Sequence, residues 1–135
     1  MHTPVVRANL FLILSIISGL SAGCNRGPSQ AEINGVITLD GKELETGTVR
    51  LAPVGAGNTA GGNINPNGTY EITAMPGTYR VEISATALQG GKSSRHGDAV
   101  EKVVQLVPDK YNTRSQLTLD VKSGRNKQDF ALTSK

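Results

Sequence analysis

In the segment PGTYRVEISA (Pro76–Ala85), Tyr79, Val81 and Ile83 alternate with Arg80 and Glu82. A two-residue period puts apolar groups on one face and charged groups on the other, as an extended strand does. This is the cleanest periodicity in the chain, and a strand with one apolar face needs a second layer to cover it. Related patterns recur. Val49 and Leu51 share a face in GTVRLAPV (Gly47–Val54), and Tyr70 and Ile72 share one in INPNGTYEIT (Ile64–Thr73), after an Asn-Gly turn. Leu117, Leu119 and Val121 alternate in SQLTLDV, and KQDFALT directs Phe130 and Leu132 inward. INGVITLDG (Ile33–Gly41) contains another strand, while VEKVVQLV (Val100–Val107) admits either a strand or a short helix.

Between these segments stand GAGNTAGGN (Gly55–Asn63), expected as a glycine-rich loop, ALQGGKSSRHGDA (Ala87–Ala99), expected as a polar loop, and KSGRN (Lys122–Asn126), expected as a turn. Pro76 presets a turn φ, and Gly41, Gly68 and Gly77 permit positive ones. Long helical periodicity is absent. Short strands at regular spacing predict an all-β protein, an antiparallel β-sandwich of about seven strands, transthyretin-like or Ig-like. Each sheet would have one buried and one wet face. The tyrosines are expected half-buried, with a hydroxyl reaching a backbone group.

The first thirty residues follow other rules. His2 and Arg7 make a weakly basic start, LFLILSII (Leu10–Ile17) is a short apolar core, and SGLSAG (Ser18–Gly23) is small and flexible. A bilayer-spanning helix needs roughly 20 apolar residues, so this run fits a signal-peptide core instead. The single cysteine, Cys24, follows directly. The sequence LSAGC resembles the lipobox of bacterial lipoproteins. The resemblance implies cleavage between Gly23 and Cys24, with Ala22 and Gly23 in the small positions and Cys24 carrying a diacylglyceryl group. Ser21 stands where that family prefers Leu, with Leu20 one position further out. A second acyl chain converts marginal membrane binding into stable anchoring, at about 0.8 kcal/mol per buried methylene. The alternatives for Cys24 are a stray thiol or a core cysteine, and a lone thiol forms no internal disulfide.

These readings divide the chain into a signal peptide (1–23), a lipidated cysteine with a tether (24–30, including NRGPSQ) and a β-sandwich domain (31–135). Removing residues 1–23 from 135 leaves 112, enough for one core. Arg7 leaves with the signal, so thirteen of the 14 basic residues face 11 acids, a side-chain balance of +2. The charges alternate along the chain, which indicates solvated surface and no nucleic-acid partner. There is no Trp, and the folded part holds only Tyr70, Tyr79, Tyr111 and Phe130 as aromatics, a poor supply for stacking on bases or sugars.

Two stretches, INGVITLDGKELETGTVRLAPVG and NPNGTYEITAMPGTYRVEI, resemble the carboxypeptidase regulatory-like domain, a transthyretin-like β-sandwich. The shared pattern falls on Gly35 and Ile37, Asp40 and Gly41, Gly47 to Val49, Gly68 to Tyr70, and Pro76 to Tyr79. The ending VPDKYNTRSQLTLDVKSGRNKQDFAL resembles the tail of small bacterial lipoproteins that carry this domain alone. These are turn and packing signals, so they imply a fold and nearly nothing about activity. Glu43 stands where the family often has Pro. Asn65 stands where it often has Asp, which removes a carboxylate from any calcium site at that turn.

Catalytic and cofactor motifs fail on context. GAGNTA (Gly55–Ala60) matches the letters of a dinucleotide fingerprint, but GGNINPNGTY follows where a helix should receive the pyrophosphate. GGKSS (Gly90–Ser94) resembles the end of a phosphate-binding loop, but Thr86 stands where the first glycine belongs. His96 lies near Asp98 and Glu101, with Ser93 and Ser94 before it. A triad needs near-fixed geometry, and a polar loop is a poor scaffold for it. Zinc needs three or four ligands, and the cysteine is assigned to lipid. Asp40, Glu43 and Glu45 beside a turn fit a solvated hairpin end better than paired catalytic acids. Asn67 heads an NGT sequon, which a bacterial lipoprotein would ordinarily leave unmodified. The sequence thus points to a non-catalytic, membrane-anchored envelope lipoprotein with no cofactor and no metal, acting as a structural or protein-interaction module. The alternative is a small-ligand or carbohydrate-binding lipoprotein that uses GAGNTAGGN and LQGGKSSRHGD as its loops.

Overall fold

Alternation decides the first strand. Ala31, Ile33, Gly35 and Ile37 are buried while Glu32, Asn34 and Val36 are half-buried between them, along β1 (Ala31–Leu39). The computed structural model describes residues 29–90 and 101–135. The segment expected as a signal peptide, with the expected cleavage and lipidation positions Gly23 and Cys24, therefore lies outside the described residues, as do Ser93, Ser94, His96 and Asp98.

After β1 come β2 (Lys42–Glu43), β3 (Thr48–Pro53), β4 (Ala60–Asn63), β5 (Thr69–Ala74), β6 (Gly77–Ser84), β7 (Thr86–Gln89), β8 (Lys102–Gln105), a 3-10 turn (Asp109–Tyr111), β9 (Thr118–Val121), β10 (Gly124–Lys127) and β11 (Phe130–Leu132). The described residues are all-β apart from that turn, and they form the expected β-sandwich, with nine strands in its two sheets where about seven were expected, because short glycine-rich and polar edge strands show no alternation. One sheet has β1 at its centre, with β5 and β2 on one side and β10 and β11 on the other. The second runs β4-β3-β6-β9. β7 and β8 form a separate two-stranded ribbon.

The buried faces meet between the sheets. Ile33, Ile37, Tyr70, Ile72, Phe130 and Leu132 come from the first sheet. Val49, Leu51, Tyr79, Val81, Ile83 and Leu119 come from the second. Fully burying one such aliphatic or aromatic side chain contributes about 1.5–3 kcal/mol, so this contact dominates stability. The tyrosine hydroxyls find backbone partners as expected. Tyr70 donates to the Gln128 carbonyl at 2.6 Å and Tyr79 to the Met75 carbonyl at 2.9 Å. Both rings are nonetheless fully buried, not half-buried.

The connections follow turn chemistry. Asp40 (φ 51°) and Gly41 (φ 81°) make a two-residue hairpin loop with both φ positive, the primed turn that matches strand twist. Asn65–Gly68 is a different turn. The Gly68 amide donates to the Asn65 carbonyl at 2.8 Å, and the Asn67 side chain accepts from the Thr69 amide at 3.2 Å. Pro66 at the second position and Gly68 at the fourth suit a type I turn.

Three local expectations change, and one open choice is resolved. Ala60–Asn63 is not loop but strand β4, paired with β3 through Leu51↔Ala60 to Thr48↔Asn63. Glycine carries no side chain to show a period, and a Cβ on Gly62 would lie 2.4 Å from the Glu71 carbonyl oxygen. Thr86–Gln89 is strand β7, so the expected polar loop loses its first residues. Lys102–Gln105 resolves as strand, not helix. KSGRN is mostly strand β10, leaving Lys122–Ser123 as the turn.

The edge beside β1 adds a feature that alternation does not reveal. β10 and β11 both run parallel to β1, through Ala31↔Gly124 and Ile37↔Phe130, although the other ladders are antiparallel. The strand breaks at Gln128–Asp129. There the Asp129 carboxylate accepts the Val36 amide at 2.8 Å, where a backbone carbonyl would otherwise serve. The Gln128 carbonyl fills the space beside Gly35, 1.8 Å from where a Cβ would stand. It also receives the Tyr70 hydroxyl, whose residue pairs with Gly35 across the strands. Burial, reinforced by the charge of Asp129, pushes the Tyr70 phenol well above its ordinary value, so it stays a donor.

Candidate functional site

Strand register sorts the loops to two ends. Ala31 pairs with Ala74 and Gly124, and Pro53 pairs with Tyr79, so the start of β1 shares an end with the Pro53–Asn58 loop and the β5–β6 and β9–β10 turns. The opposite end carries the Asp40–Gly41 turn, the Asn65–Gly68 turn, the 3-10 turn and the root of the ribbon.

The ribbon is where apolar groups face water. Its register is Thr86↔Gln105, Ala87↔Val104, Leu88↔Val103 and Gln89↔Lys102. Period two puts Ala87 and Val104 on one face, where both are half-buried. Leu88 and Val103 form a directly opposed pair on the other face, 65% and 61% exposed. Neither strand has a further strand partner among the described residues. The ribbon is held at its root, where the Leu106 amide donates to the Ala85 carbonyl at 2.8 Å and Ala85 and Val107 are buried. An exposed strand edge with an apolar cross-strand pair can accept another extended chain by main-chain hydrogen bonding.

A hollow of about 510 Å³ lies at that root, lined by Leu39, Leu44, Ala87 and Leu106 with Asp40, Glu43 and Glu45 among the rim residues. The structure thus gathers the three acids that the sequence placed beside a turn. Their roles differ. The Asp40 carboxylate accepts the Ser134 amide at 2.9 Å, and that hydrogen bond holds its pKa below the ordinary carboxylate value. Glu43 and Glu45 are exposed. Among the described residues, no three His, Cys, Asp or Glu side chains are grouped to hold a metal.

A second hollow of about 510 Å³ lies over β3 and β4, lined by Thr48–Arg50 and Thr59–Asn63. Its polar contributors are backbone groups, short side chains and Arg50, which is already taken by Glu82 at 2.8 Å. Glu82 also receives Arg80 at 2.7 Å. Burial draws the Glu82 pKa upward, but the two guanidinium partners outweigh it and hold the pKa below the ordinary value. Of the residues raised as catalytic candidates in the loop around His96, Glu101 alone is described, and it is exposed. No helix among the described residues is long and apolar enough to cross a membrane.

Sequence reasoning missed Leu88 and Val103 as a pair. The available signal was two short apolar segments, TALQ and KVVQ, flanking a glycine-containing polar stretch, which is the outline of a long hairpin.

No protein family and no curated protein matches the chain. Among solved structures, it is similar to the crystal structure of a DUF3823 family protein from Parabacteroides merdae, at 13% sequence identity and a TM-score of 0.39. The match covers 78% of this chain and 46% of that one, so the chain spans about half the length of that protein.

Proposed function

We propose that this chain is a lipid-anchored, non-catalytic module of the bacterial cell envelope, which engages another envelope protein through the β7–β8 ribbon. The observation that carries the reading is the polarity of the domain. The tether enters beside Ala31 at one end, and the exposed Leu88–Val103 pair leaves from the other. The lipobox-like LSAGC supports an acylated Cys24, on the periplasmic or outer face of a membrane. The likeness of the turns to carboxypeptidase regulatory-like domains supports a sandwich used as a module. In this reading an extended segment of the partner adds to the ribbon edge, and its apolar side chains cover Leu88 and Val103.

The second reading, a small-ligand or carbohydrate-binding lipoprotein, draws on the β3–β4 hollow. No aromatic side chain lines that hollow, which weighs against sugar stacking. A soluble glycan that raised the thermal midpoint would favour this reading, because a ligand of the native state stabilises it by mass action.

The test of the first reading is intact mass and membrane fractionation of the native protein beside Cys24→Ser. The expected result is an acylated chain beginning at Cys24, with the variant released from membranes. An unmodified soluble chain would overturn it.

A further inference from the structure

We propose that the tether end of the sandwich rests directly on the lipid surface, with the Pro53–Asn58 loop and the Met75–Pro76 turn as its contact points. The inference rests on the lipid-anchor reading above and names the surface that this anchor brings within reach.

Reach comes first. Cys24 precedes Ser29, the first described residue, by five positions. At most about 3.6 Å per residue, an acylated Cys24 lies within about 18 Å of chain from the domain. Ala31 opens β1 at this end, and nine residues of strand carry the chain about 30 Å to the other. A short tether therefore keeps the near end at high effective concentration against the bilayer and holds the ribbon away from it.

Composition then distinguishes two loops at the tether end. Pro53–Thr59 and Met75–Thr78 contain no charged residue. At the opposite end, the segments around the Asp40–Gly41 turn and the 3-10 turn carry Asp40, Lys42, Glu43, Glu45, Asp109 and Lys110. The uncharged loops are also fixed side by side. The Val54 amide donates to the Thr78 carbonyl at 2.9 Å, and Pro53, Val54, Met75 and Pro76 line one hollow of about 300 Å³. Val54 is 62% exposed there.

Charge flanks this apolar tip. Lys122 in the β9–β10 turn and Arg125 in β10 are exposed at the same end as Ala31. Glu32 lies 3.7 Å from Arg125 and pairs with it, and Asp120 accepts the Thr78 hydroxyl at 3.1 Å while keeping its charge, so Lys122 is the cation of this rim that has no ion-pair partner among the described residues. An uncharged tip with Lys122 beside it matches the interface of a bilayer, where apolar groups enter the headgroup boundary and a basic side chain meets lipid phosphates.

The test uses the full, membrane-extracted chain in vesicles of phosphatidylethanolamine and phosphatidylglycerol that include lipid brominated on its acyl chains. Val54→Cys, Ser123→Cys and Leu88→Cys are each labelled with an environment-sensitive fluorophore, after intact mass has established acylation at Cys24. Brominated lipid is expected to quench the labels at positions 54 and 123 and spare the one at 88. Aqueous iodide should do the reverse, with a several-fold contrast between the two ends. An acylated chain whose three positions respond alike would overturn this inference and leave the anchor standing. A chain without acyl mass would overturn the anchor and this inference with it.

Discussion

The sandwich and the ribbon are both made of alternating strands, yet they treat apolar side chains in opposite ways. Val81 and Ile83 are 0% exposed because the first sheet lies across them, whereas Leu88 and Val103 project from a ribbon with no described layer over that face. Period-two patterning creates an apolar face, and only a second layer buries it. Stability therefore resides in the sandwich. The ribbon contributes little to it and is left to make contacts.

The largest expected effect lies where the sandwich is tightest. Gly35→Ala sets a methyl against the Gln128 carbonyl and disturbs the broken edge strand and the Tyr70 hydroxyl together. Overpacking of this kind costs about 3 kcal/mol, a fall of more than about 10 °C in Tm for a domain near this size. Thermal denaturation checks it, and an unchanged Tm would mean that the Gly35–Gln128 approach does not hold the edge.

Val81→Ala comes next, at about 2 kcal/mol by denaturant unfolding. Its neighbour Arg80→Ala removes one of two partners of Glu82 on the wet face and should cost under about 1 kcal/mol. Equal losses at both positions would break the distinction between buried and wet faces.

Glu82 sharpens that distinction through pH. Its native pKa is lowered, so its contribution is present above the ordinary carboxylate pKa and is lost as pH falls through the native value. Acid titration of Tm should therefore be shallower in Glu82→Gln than in the parent. An identical acid limb would remove Glu82 from the account.

The smallest effect on stability belongs to the ribbon. Leu88→Ser with Val103→Ser should leave Tm within about 1 °C, since exposed substitutions usually stay within about 0.5 kcal/mol. On the proposed function, the same double variant should also fail to co-purify from membranes the envelope protein that the parent retains. A large fall in Tm would make the ribbon part of the folded core.

The sequence shows this contrast unevenly. β3, β5, β6 and β11 were legible because their side chains alternate strongly enough to reveal a face. β4 was not, since Gly61 and Gly62 pair through backbone alone. β10 was not either, since Gly124–Lys127 is a polar edge strand whose only signature is its hydrogen bonding. The parallel pairing of β10 and β11 with β1 depends on the chain crossing between sheets within Lys122–Ser123, and nothing local encodes that choice. At the candidate site, the acids near Asp40 were visible as residues. The exposure of Leu88 and Val103 was not, because exposure is set by what fails to lie across a strand.

The most direct test is photo-crosslinking in cells, with a photoreactive amino acid placed at position 88 on the ribbon or at position 71 on the wet face of β5. The account predicts a discrete adduct with an envelope protein from position 88 and none from position 71. An adduct from position 71 with none from position 88 would contradict the assignment of contact to the ribbon.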